Sequence, residues 1–522
     1  MPDDIRDRVL DAEATLRDGG QAETRAEDPP ALALTILHHP DARRTGDIAI
    51  LGARAAVSRM EPHFRPPGGG GGSALGDRHL SRRPLGVMAL EGGGVRLEPD
   101  EGGSEIAIDG QRLAGTVELG PERVALGITL ELSGRVALLL HARRTPRPGV
   151  ERHGLIGHSE AIELACARVD QVAGLEVPVL LTGPTGSGKE LIARAIHQAS
   201  GRAGGPFVAV NAATLPASTA ASQLFGHVRG AFTGADRASA GLLAAADGGT
   251  LFLDEIGETS PEVQAMLLRA LEEKAVLPVG SVAARPVDLR LVAASDADLE
   301  AAAAAGSFKL PLLHRLGGFR IRLPPLAERR DDVGRLLVHF LREELALAGE
   351  PDRLAPRPDD GGMWLPPSLV AGMARHDWPG NVRELRNVAR HIVISNRYSP
   401  NIAIDPTLAA LGAAGLRPLP ARPATRRPGE IGEEDLVAAL RANRWQTSAT
   451  ATQLGISRTT LYALMDRSES IRKGRDLTAS EIRDAHLRAG GDVERMAELL
   501  QVSERALRLR IRELRIDLPG AG

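Results

Sequence analysis

The stretch Gly183-Pro184-Thr185-Gly186-Ser187-Gly188-Lys189 constrains this chain more than any other. An apolar run, Val177-Pro178-Val179-Leu180-Leu181, leads into it, and a helical pattern, Leu191-Ile-Ala-Arg-Ala-Ile-His197, leads out. Strand, glycine-rich loop and helix in that order make a phosphate cradle. The glycines let backbone N–H groups turn inward at phosphate oxygens, and the helix N-terminus adds its positive dipole end. Lys189 follows as a point charge for the β- and γ-phosphates. A glycine turn that merely precedes a helix is the plainer alternative, but a full G-x-x-x-x-G-K in this setting is far more specific. ATP and Mg²⁺ are the expected cofactors, although Glu190 stands where most such loops carry a Ser or Thr for the metal.

At 522 residues the chain has room for about three or four domains. A net charge of −3 leaves any nucleic-acid contact to local patches. Cys166 is the one cysteine, which excludes an internal disulfide framework and fits a reducing compartment. The N-terminus is charged without an apolar signal core, and no run approaches a membrane span. The expectation is a cytoplasmic, multidomain protein without membrane contact.

Residues 1–29 read as a disordered leader. From 30 to 145, short apolar runs alternate with Gly/Pro punctuation: Ala31–Leu37, Asp47–Leu51, Gly86–Leu90, Val95–Glu98, Ile106–Ile108, Arg123–Leu126, Thr129–Leu132 and Val136–His141. The spacing predicts an all-β sandwich, with Gly68–Gly72 as a loop. Gly52 and Arg54, then Leu80-Ser81-Arg82, then Asp109-Gly110 before Leu113, make this region similar to a forkhead-associated (FHA) domain. That resemblance implies a site for a phosphothreonine-containing protein, with Arg54, Ser81 and Arg82 on the phosphate. Pro84 replaces the family's His and Asp109 its Asn, which leaves open an ordinary sandwich that has lost the ligand.

Residues 152–400 read as an α/β ATPase. Gly248-Gly-Thr-Leu-Phe-Leu-Asp254-Glu255 is an apolar strand ending in two carboxylates. Asp254 is placed to hold Mg²⁺ and Glu255 to activate the attacking water, the alternative being a buried strand capped by two surface acids. Between the two motifs lies Gly230-Ala231-Phe232-Thr233-Gly234-Ala235, which nucleotide chemistry does not explain. It reads either as a protruding contact tip or as an ordinary loop with one tucked-in Phe.

From Gly154-Leu-Ile-Gly-His-Ser159 to Asn396 the chain resembles the AAA+ domain of sigma-54-dependent transcription activators, with a helical lid. The resemblance includes Val208-Ala-Val-Asn211, Leu323-Pro-Pro-Leu326 and Trp378-Pro-Gly-Asn-Val-Arg-Glu-Leu-Arg-Asn387. It implies that Gly230–Ala235 engages sigma-54 RNA polymerase and that Glu190 is usual. It further implies that Asn211 restrains Glu255, that Arg383 contacts nucleotide in its own subunit, and that Lys309 and Arg315 reach a neighbour's site in a homo-oligomeric ring, a hexamer. An Arg supplied in trans stabilises transition-state charge. Lys309 lacks the fork of an Arg. Asp296 puts a charge where a neutral amide is usual, Pro278, Ala244 and Gln223 depart from the pattern, and Pro311 interrupts the segment from Lys309 to Arg315.

A linker is expected over 401–429, ending in the Pro- and Arg-rich run Leu416–Pro428. Over 430–517, Asp435–Asn443, Ser448–Leu454, the turn Gly455-Ile-Ser457 and Arg458–Met465 follow the helix-turn-helix plan and resemble a Fis-type module. Arg458, Thr459 and Thr460 are its candidate DNA contacts. The layout recurs in Glu481–Ala489, Val493–Leu500, Gln501-Val-Ser503 and Glu504–Leu514, suggesting a second module with Arg505 and Arg508 as contacts. A helical bundle with a solvated Arg face is the alternative. The whole reads as an ATP-hydrolysing activator at promoters with upstream DNA as a partner. The alternatives are a degenerate AAA+ protein that binds DNA without productive turnover, and a general AAA+ unfoldase.

Overall fold

The computed structural model describes residues 30–144, 151–355 apart from 217 and 234, 363–415 apart from 414, and 432–516 apart from scattered positions, most of them between 444 and 457. The expected leader, the Pro/Arg-rich run, most of the expected helix Ser448–Leu454 and the turn Gly455-Ile-Ser457 lie outside these residues. The chain divides into two compact units between Arg417 and Pro418. No helix among the described residues is long and apolar enough to cross a membrane.

The N-terminal region is a two-sheet antiparallel sandwich. Its strands are β1 (Ala31–His38), β2 (Ile48–Ile50), β3 (Arg54–Val57), β4 (Leu85–Ala89), β5 (Val95–Pro99), β6 (Ile106–Ile108), β7 (Gln111–Arg112), β8 (Val117–Leu119), β9 (Ile128–Leu132) and β10 (Val136–Arg143). One sheet runs β2-β1-β10-β9-β6-β7, the other β3-β4-β5-β8. Alternation explains the packing: Val95 and Leu97 of β5 and Val117 and Leu119 of β8 are buried while the residues between them are not. Asp109 (φ 48°) and Gly110 (φ 80°) form the two-residue hairpin turn between β6 and β7, where left-handed backbone is required.

One expected strand is a helix. Arg123–Leu126 lies in the helical turn Pro121–Leu126, with Pro121 in its first turn and Gly127 (φ 81°) ending it. Only Val124 of that turn is buried, so the apolar spacing that suggested a strand was too brief to distinguish the two periods. β3, β7 and β8 were not anticipated, being two to four residues long.

The central region holds a parallel sheet of β11 (Val179–Thr182), β12 (Phe207–Asn211), β13 (Thr250–Asp254), β16 (Arg290–Ser295) and β17 (Phe319–Arg322), in the order β12-β13-β16-β11-β17. β14 (Ala275–Val276) and β15 (Arg285–Pro286) form a separate hairpin. Each buried strand feeds two cores. Leu180, Leu251, Leu253, Leu291 and Ala293 face one side; Val179, Leu181, Phe252, Val292 and Ala294 face the other.

The lid comprises the helices Val333–Leu347, Pro367–Arg375, Asn381–Ser395 and Pro406–Ala413. The expected boundary at 400 is therefore too early. Ile402, Leu408 and Leu411 are buried in the lid core, and Gly372 passes so close to Leu411 and Gly412 that a Cβ there would meet backbone at 2.5 Å.

The lid core does not close on itself. It continues into the sandwich through Leu37, Ala137 and Leu139. Burial of each of these leucines contributes roughly 1.5–3 kcal/mol. Gly334 of the lid approaches β1 so closely that a Cβ would lie 2.2 Å from the Leu37 carbonyl oxygen. Arg143, at the end of β10, is buried and donates to Asp331 Oδ2 (2.9 Å), Glu163 Oε1 (3.2 Å) and the His158 carbonyl. Burial pushes the Asp331 carboxyl up, with Arg143 the main opposing influence. Arg375 of the lid donates to Thr129 Oγ1 (2.7 Å), and Thr129 donates in turn to Asp109 Oδ1 (3.1 Å).

The C-terminal unit contains two small helical cores. One gathers Leu436, Leu440, Trp445, Leu454, Leu461 and Met465; the other gathers Leu477, Ile482, Met496, Leu500, Val502 and Leu507.

Candidate functional site

β11 ends at Thr182, and the loop Gly183–Gly188 carries the chain into the helix Lys189–Gln198. Two glycines are dictated by close approach: a Cβ on Gly183 would lie 2.5 Å from the Leu323 carbonyl oxygen, and one on Gly186 would lie 2.5 Å from that of Gly380. Both also have positive φ. Lys189 Nζ donates to the Gly183 carbonyl at 2.8 Å. Burial lowers the Lys189 pKa, opposed by Asp254, Asp296 and Glu255.

Asp254 and Glu255 close β13 at the rim of the same cavity, which measures about 640 Å³. Burial raises the Asp254 pKa and Lys189 opposes the rise most. Glu255 adopts left-handed backbone (φ 55°) and donates its N–H to Asp254 Oδ1 at 3.1 Å. A non-glycine residue held in that region at a cavity rim is typical of functional sites. The Asp254 carboxylate fits the hard-oxygen demand of Mg²⁺, and Ser187 Oγ in the loop is buried with no hydrogen-bond partner. The metal would be held by Asp254 and would neutralise phosphate charge.

Asn211 pairs in register with Asp254 on the neighbouring strand and lines the cavity. Its Oδ1 accepts from Ala213 N at 2.9 Å, and no described hydrogen bond joins it to Glu255. Asp296 is not a loose charge: its Oδ2 accepts from Thr185 Oγ1 at 2.7 Å, tying β16 to the phosphate loop. Glu190 pairs with Arg194 one helical turn on, at 2.7 Å. Arg383 lines the cavity from the lid.

Two further residues shape this site. Asn381 (φ 53°) accepts from Leu326 N (2.8 Å) and donates to the Thr185 carbonyl (3.0 Å), so one side chain joins lid, core and phosphate loop. Arg329 is buried and donates to the Ser187 carbonyl at 3.1 Å. Burial lowers its pKa. Asn381 sits within the motif quoted above without an assigned role. Arg329 lies in the charged run Glu328–Asp332, which reads as surface in one dimension.

Lys309 and Arg315 are both exposed and neither lines the cavity of their own chain. Pro311 does not interrupt their segment: Leu310–Leu316 is a helix with Pro311 in its first turn, where a missing N–H costs nothing.

In the loop after Phe225, Gly230 N donates to the Ala235 carbonyl and Ala235 N to that of Phe232, at 2.9 and 3.0 Å. Ala231 and Thr233 belong to this turn; Ala235 is buried, Thr233 is exposed, and Gly234 lies outside the described residues. Phe232 is 42% exposed, its ring 5.0 Å from that of His227. Val279 N donates to the Gly226 carbonyl and Val228 N to that of Val279, so the loop base is braced against the β14–β15 hairpin. Pro278 falls just outside this pairing and deprives it of no donor.

On the sandwich, the structure separates Arg54 from Ser81. Arg54 pairs with Met88, whereas Ser81 lies beyond the opposite end of that strand pair, past Leu85 and Val57. At about 3.3 Å per residue Arg54 is roughly 10 Å along the strand from that end. Arg59 lies beside Ser81: its backbone N–H donates to the Ser81 carbonyl at 3.0 Å. Ser81 Oγ accepts from Arg83 N at 3.0 Å, and Arg82 is exposed.

Arg458, Thr459 and Thr460 open the helix Arg458–Arg467; Arg505 and Arg508 lie on the helix Glu504–Glu513.

Comparison with known proteins matches residues 155–322 to the sigma-54 interaction domain, 327–406 to an AAA+ ATPase lid domain, and 433–467 to the Fis family of bacterial regulatory proteins. The chain is 40% identical over 331 residues to the transcriptional regulatory protein ZraR of Escherichia coli (strain K12), spanning 62% of this chain and 70% of ZraR. It is 42% identical over 323 residues to the acetoin catabolism regulatory protein of Cupriavidus necator, spanning 60% of this chain and 46% of that one. A crystal structure of NtrX from Brucella abortus in complex with ATP is 32% identical, covering 60% of this chain and 68% of NtrX at a TM-score of 0.44.

Proposed function

Because the chain belongs to the sigma-54-dependent transcriptional regulators, we propose that it hydrolyses ATP to remodel sigma-54 RNA polymerase at promoters reached through its C-terminal helix-turn-helix. The observation that carries this reading is the continuity of one sheet: Lys189, Asp254 and Glu255 stand where its inner strands β11 and β13 run out into the cavity, and the chain leaving β12 leads to the braced Phe232–Thr233 tip.

Glu255 orients and deprotonates the attacking water, Lys189 and the loop N–H groups hold the phosphates, and Arg383 contacts the nucleotide from the lid. Lys309 and Arg315, both exposed and outside their own cavity, serve the site of the next subunit in a ring, a hexamer by family resemblance. The sandwich acts as an FHA-like receiver of a phosphothreonine segment. Arg59 beside Ser81 is the better candidate for its phosphate contact than Arg54.

In vitro transcription from a sigma-54 promoter, run beside an ATPase assay, tests the reading. Thr233→Ala is expected to keep ATP turnover and abolish transcription, and Lys189→Ala to abolish both. Equal transcript from wild type and Thr233→Ala would refute the role of the tip. Transcription that survives Lys189→Ala would favour a DNA-binding regulator without productive turnover.

A further inference from the structure

Residues 477–514 lie beyond the segment matched to the Fis family and have no task in the reading above. Their first and third helices repeat the two described helices of that segment. The helices Arg458–Arg467 and Glu504–Glu513 are equally long, and their offset also separates the starts of Glu433–Ala442 and Ala479–Ala489. The buried residues keep that offset: Leu436 with Ile482, Ala439 with Ala485, Leu454 with Leu500, and Leu461 with Leu507. Gln501 takes left-handed backbone (φ 55°) at the position where the first module has Gly455, and buried Val502 follows where Ile456 stands. A capping box between Thr478 and Glu481 starts the first helix of this second unit.

The third helix sorts its arginines by direction. Arg510 turns back, donating to the Leu477 carbonyl at 3.1 Å and pairing with Glu513 at 3.0 Å, so it holds the module together. Arg508 and Arg512 are exposed, one helical turn apart on the opposite face. Leu507, the main apolar anchor of this helix, is buried in the module's own core, and Ile511 packs against that core.

We propose that residues 477–514 are a second reader of double-stranded DNA, with Glu504–Glu513 in a major groove and Arg508 and Arg512 neutralising phosphates. The inference rests on the first module binding DNA. It deepens that reading: each chain spans two segments of its site, not one. Two guanidinium groups on an exposed helix complement a polyanion, whereas a self-association face would be depleted of charge at its centre.

The test uses the full chain and a duplex selected by it from a random-sequence pool of about 40 base pairs, enough for two contacts a helical turn or two apart. Hydroxyl-radical footprints and the salt dependence of affinity are compared for wild type, Arg508→Ala/Arg512→Ala and Arg508→Lys/Arg512→Lys. Both side chains are exposed, so circular dichroism should show unchanged helix content. The alanine pair is expected to lose one of two protected segments and to flatten the log–log salt slope by about 1.8 per chain. The lysine pair should keep that slope. An unchanged footprint and slope in the alanine pair would overturn the second reader and leave the first intact. So would a loss of binding that sedimentation traces to lost self-association. A wild-type chain that selects no duplex would sink both readings.

Discussion

The lid is gripped on two faces by different chemistry. Toward the nucleotide cavity, the contacts are mostly hydrogen bonds, from Asn381 to Leu326 and Thr185 and from Val382 N to the Gly186 carbonyl at 3.1 Å, beside one close backbone approach of Gly380 to Gly186. Toward the sandwich, the lid shares a continuous apolar core, the pair of buried Arg143 with Asp331, and a backbone approach that only Gly334 permits. A handful of exchangeable hydrogen bonds is a joint that nucleotide can tighten or release. A shared core is a weld, because packed interiors do not deform continuously. Motion of the lid over the P-loop should therefore be transmitted to the sandwich, and resisted where Arg143 also holds Glu163 and the His158 carbonyl of the ATPase region. Under the proposed function, that gives a physical route from the sandwich to the ATP site.

Breaking the weld should cost most. Arg143→Ala leaves Asp331 without its arginine while Glu163 keeps Arg152 at 2.9 Å, and a loss of about 3–5 kcal/mol in urea unfolding is expected. Leu139→Ala should cost about 2–5 kcal/mol through its cavity. In both variants sandwich and lid should melt together in calorimetry. Separate transitions already present in the wild type would show that the two are merely apposed.

At the joint the effect should be smaller and local. Asn381→Gly accommodates the left-handed backbone and removes only the hydrogen bonds, for about 1–3 kcal/mol. Nucleotide affinity should change while hydrogen exchange in β1 and β10 stays as in wild type. Exchange that rises equally on both faces would erase the distinction between weld and joint.

A further effect is a pH dependence on the sandwich side. His141 Nε2 lies 2.9 Å from Thr35 Oγ1, and burial lowers the His141 pKa from 6.5 to about 4. The unfolded chain takes up this proton first, so the contribution is complete above pH 6.5 and is lost as pH falls toward 4. Burial raises Asp331 and Asp332, whose linkage runs the other way over acid pH. The difference between wild type and His141→Gln isolates the histidine: the variant's stability should fall less between pH 6.5 and 4. Parallel profiles would mean the imidazole is hydrated or already charged in the fold.

The phosphate loop, the Asp254–Glu255 strand end and the C-terminal helices Glu433–Ala442, Arg458–Arg467, Ala479–Ala489, Val493–Leu500 and Glu504–Glu513 were legible in one dimension, since their chemistry needs particular residues at fixed local spacing. Arg59 was not legible, because Arg54 stands nearer the expected pattern and only the β3–β4 register shows which arginine meets Ser81. Arg329, Asp331 and Asp332 carry no local mark of their partners: Asp331 meets Arg143 of the sandwich, Asp332 accepts from Ser159 N at the start of the ATPase region, and Arg329 donates to the phosphate loop. Residues 406–413 read as linker because a short apolar helix has no local mark of what it will pack on.

The amino-acid order alone therefore determined where phosphate is cradled, where acids end a buried strand and where helices break for a turn, because backbone freedom and periodicity act over a few neighbours. Tertiary structure alone decided which arginine faces which partner, where the lid ends, and that sandwich and lid share one interior. Those outcomes depend on surfaces brought together from positions more than a hundred residues apart, as in the pair of Arg143 with Asp331.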